Sequence, residues 1–238
     1  MHARQARSFF TDQAQAPFWA ALFITGICVF LLERSIMHAT GGVLMYPLDD
    51  PYIHMQLARN LAGTGTWGMN PGEFASASSS LLYTILLASL FKIFSAHVMI
   101  PFLINCIAAF FLLYSVHAWL LRQAMNGVQR LLILLTMVVL IPLPVLVISG
   151  MEHTLQALFT FLFLTSFSEL AGNTDDGMSP DNRSSVFRKA VLFGMLMIFV
   201  RYEGVFIAGL AGLILLYKRR FKAAFIMGGI ALLPIVLF

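Results

Sequence analysis

Long apolar stretches separated by short polar gaps dominate the chain. Segments 17–38, 79–94, 98–121, 131–149, 152–170, 190–217 and 222–238 carry few charges. A helix of about 20 apolar residues crosses a bilayer core. The pattern therefore predicts an all-α polytopic membrane bundle with six or seven transmembrane helices. Segment 79–94 is short for a crossing. Segment 190–217 is long and interrupted by Arg201 and Glu203. The last stretch stops at Phe238 without a polar flank, as a C-terminally truncated chain would. The expected plan is a first span at 17–38, an external loop at 39–78 and the remaining spans over 79–238.

Two polar gaps interrupt this pattern. The first, 39–78, contains a stretch that reads as a short amphipathic helix. Ile53, Leu57 and Leu61 recur every four residues, with His54, Arg59 and Asn60 elsewhere. Pro51 suits the first helical position, which makes Asp50 the natural N-cap. Gly63 and Gly65 suit the stop. The cap explains Asp50 but not its neighbour Asp49. Asn70-Pro71-Gly72 is a turn signal, and the Ala/Ser run 75–80 suits the start of the next helix. Tyr46 and Trp67 fit the membrane interface, where such rings collect. The second gap, 171–189, holds Asp175, Asp176, Asp181, Arg183, Arg188 and Lys189 and reads as a solvated loop of mixed charge.

Composition agrees with a membrane protein. Of 238 residues, 59% are hydrophobic and 11% charged, and mean hydropathy is +0.84. The net charge of +4 is small. It sits in terminal and loop clusters, which speaks for membrane orientation and against nucleic acid. Arg4 and Arg7 place the N-terminus in the cytoplasm. Glu33 and Arg34 follow the first apolar run and no A-x-A site appears, so an uncleaved span fits better than a signal peptide. Lys218, Arg219, Arg220 and Lys222 are expected on the cytoplasmic side. Arg122 and Arg130 join them only if 79–94 lies in the interface, which also returns Glu152 to the side of Asp49. Cys28 and Cys106 lie inside apolar spans and read as small buried hydrophobes.

The stretch "LDDPYIHMQLARNLAGTGTWGMNPGE", followed by "SSSLLY", resembles the first loop of the GT-C superfamily of polyprenyl-phosphate-sugar glycosyltransferases. The bacterial terminal arabinofuranosyltransferase-like branch is the most similar. Asp49, Asp50, Tyr52, Ile53, Ala58, Arg59, Asn60, Leu61, Asn70, Pro71, Gly72 and Glu73 all fit that pattern. "SGMEHTL" (149–155) resembles a Ser-Gly-Leu-Glu element, and "VRYEG" (200–204) an Arg-Pro-Glu-Gly element. Pro51, His153 and Tyr202 depart from the pattern. Family members are longer, so the resemblance covers an N-terminal part.

The resemblance implies transfer of a sugar from a polyprenyl-phosphate donor to a glycan, lipid or protein acceptor. This would occur outside the bacterial inner membrane. It puts the general base on Asp49, with Asp50 beside it. Arg201 would offset charge on the leaving phosphate. Glu203, Glu152, Arg59 and Tyr52 complete the donor-binding set. Asp49, Arg201 and Glu203 are expected to converge on one external cavity, since charges gather around shared sites in membranes. The resemblance fixes no cofactor. Asp49, Asp50 and Glu152 could hold a divalent cation, which some superfamily members use and others do not. Other readings remain open. Arg201 and Glu203 could pair for structure, although residues two apart do not face each other on a helix. Glu152 could cap a helix, and Arg59 could face solvent or headgroups. The chain could also be a transporter or flippase, or a non-catalytic subunit or inactive fragment.

Overall fold

The computed structural model describes residues 12–172 and 180–237. Among these, ten α-helices and no strands occur. Arg4, Arg7, Asp175 and Asp176 lie outside the described residues. Among the described residues, three helices are long and apolar enough to cross a membrane: Ala14–Ala39, Met99–Leu121 and His153–Gly172. Large apolar side chains such as Phe23, Phe30, Ile107 and Phe111 are exposed on the first two. On helices of this length, such exposure suits lipid.

The chain divides into two compact units, one formed by 1–51 and 98–154, the other by 52–97 and 155–238. The first unit holds α1 (Asp12–Ala39), α4 (Met99–Leu121), α5 (Gly127–Leu140) and α6 (Leu143–Ile148). Phe18 near the start of α1 is buried against Phe110, Tyr114 and His117 in the later half of α4. The two helices therefore run antiparallel. Asn126 and Gln129 form a capping box that opens α5. One turn on, Arg130 donates through Nη1 to the Ala14 carbonyl at 3.0 Å. This ties the start of α5 to the start of α1.

The predicted span 131–149 is two helices, not one. Pro142 lacks an N–H and cannot continue the ladder, so α5 ends at Leu140 and α6 resumes at Leu143. At the opposite end of the unit, Tyr46 is buried. Its hydroxyl donates to the Val98 carbonyl and accepts from Phe102 N–H at 3.1 Å. Its ring packs on Gly150, where an added Cβ would sit 2.5 Å from ring carbons. The segment after α1, the start of α4 and the turn after α6 thus meet through one side chain. The unit runs up, down, up, and the chain leaves it at Pro51 and returns at Val98 on the same end.

The second unit holds α3 (Leu81–Phe94), α7 (His153–Gly172, from its third residue on), α8 (Pro180–Val200), α9 (Gly204–Tyr217) and α10 (Phe221–Leu237), with most of α2 (Asp50–Thr64). Its core joins Phe163 and Phe167 of α7 to Met197, Ala208, Leu215 and Met227. The gap expected over 171–189 is shorter. Helix α7 reaches Gly172 and α8 opens at Pro180, with Asp181 in its first turn, where a carboxylate favours the helix dipole.

The predicted span 190–217 is also two helices. Laid end to end, α8 and α9 would carry Lys218 about 50 Å from the start of α8. Instead Arg183 and Lys218 line one cleft. The chain therefore reverses at residues 201–203. Arg220 Nη1 and Lys218 Nζ donate to the Leu170 and Ala171 carbonyls at the end of α7. The 201–203 turn accordingly lies at the end of the unit where α7 begins.

Candidate functional site

Helix α2 forms where the spacing predicts it, but one residue earlier. It opens at Asp50, so Asp49 takes the preceding, N-cap position and Asp50 falls in the first turn. This exchanges the places that sequence reading gave the two carboxylates. Either suits a helix N-terminus, where negative charge is favoured. Both are solvent-exposed.

The buried face of α2 also differs. His54, Leu57, Ala58 and Asn60 are buried, while Ile53 and Leu61 are only half-buried. Polar residues can sit inside here because each finds a partner. Ser78 Oγ and Thr84 Oγ1 lie 3.2 and 3.5 Å from His54 Nδ1. Tyr83 packs edge-on against the imidazole. Ser78 also accepts from Ser80 N–H at 3.0 Å. The Ser-rich run therefore joins α2 to the start of α3. Ser80 is the α3 N-cap but makes no side-chain cap bond.

Asn60 donates through Nδ2 to the carbonyls of Gly68 and Met69, at 2.8 and 2.9 Å. Next to it the turn closes through Asn70 Nδ2 to Glu73 Oε2 at 3.0 Å and Ala75 N–H to the Trp67 carbonyl at 2.9 Å. Gly68 is required there, since a Cβ would lie 1.8 Å from the Glu73 carbonyl oxygen. Asn60 and the Asn-Pro-Gly-Glu turn are thus one built unit. Asn60→Asp keeps the shape but removes both donors and sets a carboxylate against carbonyls. We expect a loss of about 1–3 kcal/mol and faster hydrogen exchange over residues 65–75. Unchanged exchange there would refute this role for Asn60.

Glu152 follows the Ser149-Gly150-Met151 turn. Gly150 adopts φ +70°, and Ser149 Oγ accepts from Met151 N–H at 3.3 Å. Because Tyr46 packs on Gly150, this turn and the aspartate segment share an anchor. Asp49 lies within about 11 Å of Tyr46 along the chain, Cα to Cα, and Glu152 within about 7 Å of Gly150. Glu152 is 0% exposed, whereas Asp49 is open to solvent.

Arg201 and Glu203 occupy the reversal between α8 and α9. Arg201 Nη2 donates to Glu203 Oε1 at 2.7 Å and Nε to Oε2 at 3.2 Å. A helix could not bring them together, but the non-helical turn does. Arg201 therefore sits at a helix end with a paired, forked contact, not in mid-span as the apolar pattern suggested. Its side chain is 22% exposed and that of Glu203 58%. No family model, curated protein or solved structure matches this chain.

Tyr52 and Arg59 are both exposed on α2. Among the described residues, no group of three His, Cys, Asp or Glu side chains is placed to hold a metal ion. Asp49, Asp50 and Glu152 thus do not form the conceivable cation site. Asp49, Asp50 and Glu152 belong to the first unit, and Tyr52, Arg59, Arg201 and Glu203 to the second.

Proposed function

We propose that this protein is the membrane module of a glycosyltransferase that takes a sugar from a polyprenyl-phosphate donor, with Asp49 as general base. The observation that carries this reading is the first loop. The residues that resemble the superfamily pattern are tied into one structure by Asn60, with two exposed aspartates at the opening of α2. Loops held this firmly position chemistry. Arg201, held by Glu203, would receive the leaving phosphate, and Tyr52 and Arg59 would contact the donor.

In a bilayer the reading gives seven crossings: α1, α4, α5 with α6, α7, α8, α9 and α10. Helix α3 is left on one side. A cytoplasmic N-terminus then puts Asp49, Glu152 and Arg201 outside and Lys218–Lys222 inside, in line with the positive-inside tendency. The test is a transfer assay on inner membranes carrying the gene product, with radiolabelled polyprenyl-phosphate sugars and cell-envelope acceptor. Label should move from lipid to acceptor above the level of membranes without the protein. No transfer from any such donor would reject the reading.

A further inference from the structure

A cleft of about 910 Å³ opens in the second unit, away from the 201–203 turn. Arg183, Lys218, Arg219, Arg220 and Lys222 line it, and no carboxylate does among the described residues. Phe187, Phe221 and Ile226 form its apolar wall. That wall continues along α10, whose Phe225 is exposed beside Phe221 and Ile226. Charge at one end and an apolar track at the other match a phospholipid with an anionic headgroup.

The backbone supplies an independent observation. Helix α9 ends in a Schellman motif: Arg220 N–H bonds the Leu215 carbonyl and Arg219 N–H the Leu216 carbonyl, both at 2.9 Å. The residue between helix and motif end adopts a left-handed conformation, and glycine is the usual occupant. Here it is Arg219, at φ +59°. Ser95 and Ala124 also adopt positive φ, but at Arg219 this costly conformation sets a cationic side chain on the cleft lining.

We propose that this cleft binds an anionic phospholipid of the cytoplasmic leaflet. The headgroup phosphate sits among the cations and an acyl chain lies along Phe221, Ile226 and Phe225. Lys218 and Arg220 are held by α7 carbonyls, so they shape the site. Arg219 and Lys222, both exposed, supply charge to the phosphate. The proposal rests on the membrane reading alone and not on sugar transfer.

Native mass spectrometry of the purified chain in detergent tests it, with phosphatidylglycerol against phosphatidylcholine and melting followed in parallel. The wild type should retain phosphatidylglycerol preferentially and melt higher with it. Each removed cation should weaken binding about fivefold, so Arg219→Gly with Lys222→Gln should lose about 25-fold. Arg219→Lys should keep it. Without lipid, Arg219→Gly should melt no lower than wild type, because glycine suits the turn. A merely structural arginine would show the reverse. No lipid preference in the wild type, an unchanged preference in Arg219→Gly, or a lipid-free loss of stability in that variant would overturn the proposal. So would equal displacement of the lipid by inorganic pyrophosphate at matched concentration, which would mark a site for free anions.

Discussion

Asp49→Asn is expected to lower sugar transfer by about 100-fold or more, the scale on which a general base contributes, while membrane insertion stays unchanged. The change isolates the base because asparagine caps a helix about as well as aspartate. The structure sharpens this comparison. Asp49 takes the N-cap position of α2 and Asp50 the first turn, so capping no longer distinguishes a structural from a catalytic carboxylate. Asp50→Asn should cost only about 0.3–1 kcal/mol of helix-dipole stabilisation and leave transfer within a few-fold. Initial rates on membranes with matched protein levels decide the matter. Full activity in Asp49→Asn removes the proposed base. A dead Asp50→Asn beside an active Asp49→Asn moves the role to the neighbour.

Gly150→Ala should be the most damaging single methyl group in the first unit. Alanine at φ +70° carries about 1–2 kcal/mol of left-handed strain. Its Cβ would lie 2.5 Å from the Tyr46 ring, and such overpacking costs a further 1–3 kcal/mol or so. A total loss near 2–5 kcal/mol is expected, read as a lower melting temperature in detergent. The steric part depends on the tyrosine and the strain does not. In a Tyr46→Ala background the penalty should therefore shrink towards the strain alone. Strictly additive penalties would show that ring and glycine do not meet in the working protein.

Much of the helical content was legible because apolar runs report helices directly. The first span and the α3 and α4 segments appear where the pattern puts them, and α2 opens within one residue of its predicted start. Breaks were harder to see. Ile141-Pro142 sits within an apolar run that hides it, and only the ladder chemistry of Pro142 reveals it. Arg201 and Glu203 read as charges inside a span because hydropathy cannot show that the chain reverses there. Burial of Tyr46, His54 and Asn60 was not legible for a different reason. Each is a polar residue made acceptable by partners that the apolar pattern does not mark: Val98 and Phe102, Ser78 and Thr84, and the Gly68 and Met69 carbonyls. Periodicity within α2 gave Ile53, Leu57 and Leu61 as its apolar face. The packing selected a neighbouring face because the His54 imidazole has hydroxyls to meet. The seclusion of Glu152 was not legible in the sequence either.

The position of Tyr46 also sets an order of events during synthesis. Its hydroxyl partners lie near residues 98–102 and its ring partner at 150. A ribosome adding about 5–20 residues per second needs roughly 5–20 s to make the hundred or so residues between the ring and Gly150. For that interval the Tyr46 ring lacks its Gly150 partner. The part of the chain made early is thus finished late, after α6 has been made. A defect in residues 143–150 would surface as misassembly of residues 40–51, and the insertion machinery would meet that segment before it is secured.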